Sequence, residues 1–317
     1  MCDCISEVLS LYGIENAKVT LLRHNENRTY RIDCKEQSFC LRLKTPISGF
    51  DLAVLSGDHE MLLRGELGLI SMLGEQTDIT VQRPVKTISG DVIAQLSDGT
   101  LVSLLSWMEG VPFDMGKHTE QMLFSVGQTL VKLRSAVENN PNLSAFTRFS
   151  YDQKLIERLA VKAEQGAEYL PVEAIRSIIK ALDTMSCVMN ELDKSEKTLI
   201  AHADPSLGNM IWTNQRVGLI DWSLTGYAHS YMDLGGLMGV TSNREEQRFL
   251  LKGWESIRGK ANRRYLDAYF SFSVLLFVCC QHTRAKEWSD WFPAALERWQ
   301  VTIFDPFSSG CLIPCIL

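Results

Sequence analysis

Leu199-Ile-Ala-His-Ala-Asp-Pro-Ser-Leu-Gly-Asn-Met-Ile-Trp212, followed by Gly218-Leu-Ile-Asp-Trp222, is the stretch on which the reading of this chain turns. Its polar residues form the pattern His202-x-Asp204-x-x-x-x-Asn209, and Asp221 ends the apolar run Leu219-Ile220. Moving a phosphoryl group from a nucleotide asks little covalent chemistry of a protein. It asks for a carboxylate that orients an attacking hydroxyl, and for oxygen ligands that hold magnesium against the phosphates. Asp204 suits the first role, as the catalytic residue. Asn209 and Asp221 suit the second, because magnesium prefers hard oxygen ligands and keeps several waters. A carboxylate buried unpaired at the end of an apolar strand is costly, and a cation removes that cost. Plainer readings exist: Asp-Pro often opens a turn, and Asn209 could close one after Gly208. An isolated H-x-D is common by chance, whereas the spaced Asn and the second Asp together are much rarer.

The segment resembles the catalytic segment of the aminoglycoside phosphotransferase and choline kinase family, small-molecule kinases with a protein-kinase-like fold. The matching residues are His202-Ala-Asp204, Asn209, Ile220-Asp-Trp222 and Asp233-Leu-Gly235. The resemblance implies an α+β, two-lobed, protein-kinase-like fold, with an antiparallel sheet and one main helix in the N-lobe and a mostly helical C-lobe. It implies ATP as co-substrate, Mg2+ as cofactor and a small hydroxylated molecule as acceptor: an amino alcohol, a sugar, a homoserine-like metabolite or an antibiotic. His202 is then a structural support that holds the catalytic loop in shape, and Asp233 either caps the next helix or bonds loop backbone near His202. Trp222 and Ser223 stand where protein kinases carry Phe and Gly, and no Ala-Pro-Glu follows. Both departures disfavour a protein Ser/Thr kinase.

Working outward, alternation from Lys18 to Ile32 predicts two strands joined by the polar turn 23–29, and Phe39-Cys-Leu-Arg-Leu43 a third. Met61, Leu62, Leu69, Ile70 and Leu73 recur at helical spacing over residues 59–74. Val92–Leu96 and Leu101–Trp107 flank Ser97-Asp-Gly-Thr100, a hairpin turn in which Gly99 tolerates positive φ. Beyond Gly110 the pattern turns helical, broken only by short strands near Leu199–Ala201, Met210–Trp212 and Val217–Ile220. The change of pattern puts a boundary near residues 106–112, and the resemblance then implies a nucleotide-binding lobe over residues 1–105, a hinge linker over 106–112 and a catalytic and substrate-binding lobe over 113–317. Arg42 lies on the third strand, where kinases place the Lys that contacts the nucleotide phosphates. Arg forks well onto phosphate or carboxylate. Its expected partner is Glu66, with Glu60 as second candidate. In the family's arrangement the Gly-free turn 23–29 faces the β-phosphate through the amides around Glu26-Asn27, with Asn27 the side-chain contact. The carbonyl of Ser106 and the amide of Met108 would read the purine edge.

A chain of 317 residues with 45% apolar content can bury a sizeable core. The net charge of −6 argues against a nucleic-acid polymer as partner, which usually demands a basic face. The opening residues do not read as a signal peptide, and nine scattered Cys suit free thiols in a reducing cytoplasm. Cys2-x-Cys4 and Cys311-x-x-x-Cys315 lack a nearby His and are read as thiols, not zinc ligands. Phe270–Cys280, the most apolar run, is about half of what a bilayer needs and is read as a buried helix, so no membrane association is expected. Trp254, Tyr265, Tyr269, Trp288, Trp291 and Trp299 either form ordinary core or a cage for a cationic substrate. The Gly-free phosphate loop and Arg42 in place of Lys keep one alternative open, a catalytically idle kinase fold that binds nucleotide or a partner.

Overall fold

A computed structural model describes residues 3–24, 27–44, 52–113, 118–241, 243–314 and 316. Helix α1 (Asp3–Leu11) precedes strands β1 (Lys18–His24), β2 (Arg28–Asp33) and β3 (Ser38–Lys44), then helix α2 (His59–Gln76). Short strands β4 (Thr80–Val81), β5 (Pro84–Val85) and β6 (Ala94–Gln95) lead to β7 (Leu101–Ser106) and β8 (Val111–Pro112). Helix α3 (Glu120–Asn139), strand β9 (Phe149–Ser150), and helices α4 (Gln153–Gln165) and α5 (Val172–Leu192) follow. Strands β10 (Leu199–Ala201), β11 (Met210–Thr213), β12 (Arg216–Leu219) and β13 (Gly226–Ala228) interrupt the helices. The chain ends with α6 (Met232–Val240), α7 (Arg244–Arg258), α8 (Arg263–Gln281), α9 (Phe292–Trp299), a π-helical turn over 300–304, and α10 (Asp305–Ser308). The fold is the α+β, two-lobed, kinase-like one, with α1 as an addition to the expected main helix α2.

The first sheet runs β1-β2-β3-β7-β5, with β6 on β7, and its strands pair antiparallel. Side chains of a strand alternate between faces, and β3 shows what that achieves. Phe39, Leu41 and Leu43 pack with Ile5, Val8 and Leu9 of α1 and with Tyr12 just beyond it in one core, whereas Cys40 joins the larger core that includes α2. Arg42 shares the Cys40 face by this alternation and so points toward α2. Helix α2 starts because Asp58 accepts a hydrogen bond from the Met61 amide, a side-chain N-cap. The hairpin turn at Ser97–Thr100 forms as expected, with Gly99 at φ 86°.

A second sheet, β4-β12-β11-β8, draws two strands from before residue 113 and two from the catalytic segment. A third, β10-β13-β9, completes that segment's frame. Most of the remaining helices pack in the larger core, α8 among them, with Phe272, Leu275, Val278 and Cys279 fully buried. Among the described residues, no helix is long and apolar enough to cross a membrane.

Candidate active site

The loop between β10 and β11 carries His202, Asp204 and Asn209, and Asp221 lies two residues past β12. Four non-glycine residues of this strip hold a left-handed backbone: Asn214 and Gln215 in the turn between β11 and β12, and, beside the site residues, Ala203 at φ 63° and Asp221 at φ 60°. Such conformations cost energy for L-residues and persist only where neighbours over-determine them. The neighbours are visible. Asp233, buried in the first turn of α6, accepts from the His202 amide at 3.0 Å and from the Ala203 amide at 2.7 Å. Of the two expected roles for Asp233, bonding to the loop backbone is the one found; the N-cap of α6 is Tyr231.

His202 is fully buried, and its Nε2–H donates to the Ile220 carbonyl at 3.0 Å. That partner is an acceptor, so it selects the Nε2–H tautomer. The ring rests 4.8 Å from that of Trp222, whose Nε1–H donates to Leu219. Both residues flanking Asp221 are thereby fastened. Burial pulls the His202 pKa below its ordinary value, which keeps the ring neutral, and pushes the Asp233 carboxyl up.

Asn209 Nδ2 donates to the Asp204 Oδ2 carboxylate oxygen at 2.8 Å and to the Asp204 carbonyl at 3.0 Å. Its own backbone carbonyl accepts from Ile220 N at 3.0 Å. This arrangement brings Asp204, Asn209 and the residue before Asp221 into one bonded group. The Asn209 amide nitrogen is turned to Asp204, so its carbonyl oxygen is the end available to a cation. Asp221 Oδ1 accepts from Ser223 Oγ at 2.9 Å and lies 4.0 Å from Arg42 Nη1. One amide oxygen and one carboxylate suit magnesium, which is held by few protein ligands and retains water. Among the described residues there is no cluster of three or more His, Cys, Asp or Glu that would suit zinc instead. Cys2 and Cys315 lie outside the described residues.

From the opposite wall, Arg42 Nη2 pairs with Glu66 Oε1 at 2.6 Å, and both residues are buried. Glu60, the other candidate, pairs instead with Arg64, which also holds Asp91. Asn27, Arg42, Glu66 and Ser223 line one narrow cleft; Glu26 lies outside the described residues. At the end of β7, the Ser106 carbonyl accepts from Gln82 Nε2 at 2.9 Å, which leaves one lone pair for a purine. Met108 packs on β12 at Gly218, where a Cβ would sit 2.1 Å from its sulfur.

Two arginines of this cleft carry no sequence signal that marks them out. A bulge in the β1–β2 ladder falls between Leu21 and Arg23, and bulges re-aim side chains. Arg23 Nη2 comes within 3.7 Å of the point where a Cβ on Gly208 would stand, over the catalytic loop. Arg148 lines the cleft beside Arg42 and Glu66.

The fold is shared with known proteins. Over 98% of the chain, the structure resembles a microcompartment-associated aminopropanol kinase, at TM-score 0.78 and 19% identity over 99% of that chain. It also resembles amicoumacin kinase, solved with AMP-PNP, Ca2+ and Ami, at TM-score 0.71 and 16% identity over 98% of this chain and 93% of the other. A third likeness is to an aminoglycoside 2'-phosphotransferase in its GDP complex, at TM-score 0.70 and 14% identity over 97% and 98%. At such identities the likeness is one of fold. A search of curated protein sequences gives no match. The family model described as the phosphotransferase enzyme family matches residues 18–271. The chain belongs to that family.

Proposed function

We propose that the protein transfers the γ-phosphate of ATP to a hydroxyl group of a small molecule, with Asp204 as catalytic base. The observation that carries this reading is the bonded group Asp204–Asn209–Ile220, which sets a carboxylate beside the two oxygen donors Asn209 and Asp221. Nucleotide sits between the lobe formed by residues 1–105 and that formed by 113–317, with the linker 106–112 behind the purine. Ser106 and Met108 present a carbonyl and an amide to the base. Arg42, steadied by Glu66, binds the α- and β-phosphates, and Asn27 approaches the phosphates from the β1–β2 turn. Asn209 and Asp221 hold Mg2+, which, when bound, neutralises charge on the phosphate oxygens. Asp204 accepts a hydrogen bond from the acceptor hydroxyl and aims its oxygen at the γ-phosphorus. The hydroxyl proton passes to the Asp204 carboxylate as the new O–P bond forms and the bond to ADP breaks. His202 and Asp233 hold the loop and take no proton. The likeness to an aminopropanol kinase and to antibiotic kinases places amino alcohols and hydroxylated antibiotics first among acceptors to try.

The test is magnesium-dependent ADP release across a panel of amino alcohols, sugars, homoserine and hydroxylated antibiotics. Asp204→Asn should lower turnover on the active acceptor on the order of 10²- to 10⁴-fold, with the melting temperature little changed. Unaltered ADP formation in that variant would reject Asp204 as base. Tight MgATP binding without turnover on any acceptor would favour the idle-kinase reading.

A further inference from the structure

The reaction as described leaves one buried cation of the cleft unused. Arg148 is 7% exposed, and among the described residues no carboxylate pairs with it. A buried charge without a counter-ion is costly unless hydrogen bonds satisfy it. Four backbone carbonyls do so. Nε donates to Thr225 at 2.9 Å, Nη1 to Leu62, and Nη2 to Trp222 and Ser223 at 3.0 and 2.7 Å. Leu62 lies one turn before Glu66 on α2, and Trp222 follows Asp221 directly. One side chain thus spans the helix that holds Arg42's partner and the loop that carries a proposed metal ligand.

The backbone around Arg148 makes the same connection independently. A Cβ on Gly65 of α2 would stand 2.1 Å from the Thr147 carbonyl oxygen, and one on Gly226 of β13 would stand 2.6 Å from that of Phe149. Segment 147–149 is therefore wedged between α2 and the Asp221 side of the cleft, with a glycine at each contact. Only arginine's fork of donors reaches acceptors in several directions at once; a lysine ammonium is a compact point charge.

We propose that Arg148 is a positioning residue that bolts α2 to the loop after Asp221, so that the Arg42–Glu66 pair and Asp221 form one permanently assembled unit. Phosphoryl transfer on this fold needs both in place together, and here no separate event is required to bring them there. The inference rests on the proposed function for its consequence, though not for its geometry.

The first measurement is ADP binding by calorimetry, in EDTA and across a Mg2+ series, for wild type, Arg148→Met, Arg148→Lys and a control, Arg134→Met. Arg134 is as buried and also donates to carbonyls, those of Ala228 and Lys197, but touches neither α2 nor the Asp221 loop. Loss of a group that orients metal ligands typically weakens metal affinity by about 10- to 100-fold. Both Arg148 variants should raise the Mg2+ midpoint by at least that lower figure while ADP affinity in EDTA stays within about threefold. Arg134→Met should lower the melting temperature and leave the midpoint unchanged. An unchanged midpoint in folded Arg148→Met, or an equal rise in Arg134→Met, overturns the proposal.

The second measurement is native-state hydrogen exchange on the wild type, which needs no variant to fold. The bolt predicts one shared opening for the amides of residues 62–67 and 223–226, and independent, much faster opening of the loop amides overturns it. If the wild type binds no ADP under any condition, the proposed function fails, and the exchange pattern still decides the bolt.

Discussion

The strip that carries the proposed site residues, 199–235, and the aromatic block, residues 277–304, hold their shapes by different means. In the strip, apolar neighbours such as Met210, Leu219 and Trp222 anchor the frame in the core, but the site residues themselves are set by directed polar bonds: Asp233 to two amides, His202 to Ile220, Asn209 to Asp204. In the block, Phe277, Trp288, Trp291, Phe292 and Trp299 pack ring on ring, with centroids from 5.2 Å (Trp288–Trp291) to 6.5 Å (Trp291–Trp299). Phe277 and Trp288 lie nearly parallel, at 9°. Of the aromatics for which the sequence left core and cage open, Trp254 and Tyr269 are buried in the core, whereas Trp288 and Trp299 are half-buried and Trp291 is exposed, with the Arg284 guanidinium over the Trp288 ring. Directed bonds fix where an atom sits to within tenths of an ångström, and they can hold a backbone that is locally unfavourable. Apolar packing is non-directional and supplies bulk stability. The strip should therefore respond to substitution in chemistry and the block in stability.

Phe292→Ala is the strongest test from the side of the block. Phe292 is almost fully buried and touches Trp288, Trp291 and Trp299. Truncating such a side chain costs about 3–5 kcal/mol, the lost transfer energy plus the cavity left behind. Urea unfolding should show that loss, while MgADP affinity of the folded protein stays unchanged. A fall in nucleotide affinity as large as the fall in stability would erase the contrast between the two regions.

The same contrast explains what was legible in the sequence. The strip could be read because its partners lie close in the chain and each needs a particular side chain: a carboxylate at Asp204, an amide at Asn209. The main strands and helices α2, α3 and α5 could be read from apolar periodicity. Glu66 was the expected partner of Arg42, with Glu60 second because both lie on α2; the Arg42–Glu66 pair and the pairing of Glu60 with Arg64 remove the second candidate. Helix α1 was not assigned, although Ile5, Val8, Leu9 and Tyr12 have helical spacing; its stability comes from the sheet face it covers. The two-residue strands β4, β5, β8 and β9 have no local pattern and exist through their partners. Arg148 was invisible for a related reason. Its acceptors are backbone carbonyls, which every residue carries.

A smaller effect tests whether the strip's network is built around a neutral His202. An unfolded histidine takes up a proton near pH 6.5, whereas burial lowers the folded value. Between those two values the unfolded chain binds more protons, so stability falls as pH drops, by up to about 1.4 kcal/mol per pH unit for one site. Asp233, raised by burial, acts in the opposite sense wherever its folded form holds a proton that the unfolded form has released. The comparison is therefore between slopes. Wild type should lose more stability from pH 7 to pH 5.5 than His202→Asn does, even though the variant is less stable at pH 7. Parallel slopes would mean that His202 is already charged in the fold.

The smallest predicted effect is also the sharpest, because one chemical change should act with opposite sign in the two regions. Ala203 holds φ at 63° while its amide donates to Asp233. A left-handed L-residue costs roughly 1–2 kcal/mol, and glycine removes that strain but adds roughly 0.5–1 kcal/mol of unfolded-state freedom. Ala203→Gly should therefore stabilise the protein by about 0.5–1 kcal/mol, with the hydrogen bond to Asp233 kept. In the block, buried Ala295 sits inside helix α9, where the backbone is relaxed and nothing offsets the entropy. Ala295→Gly should destabilise by about 1 kcal/mol, the helix-propensity difference, plus the loss of a buried methyl. Urea midpoints measured side by side should move apart. If both variants lose stability, the left-handed turn at Ala203 stores no strain, and Asp233 is not holding the loop against its own preference.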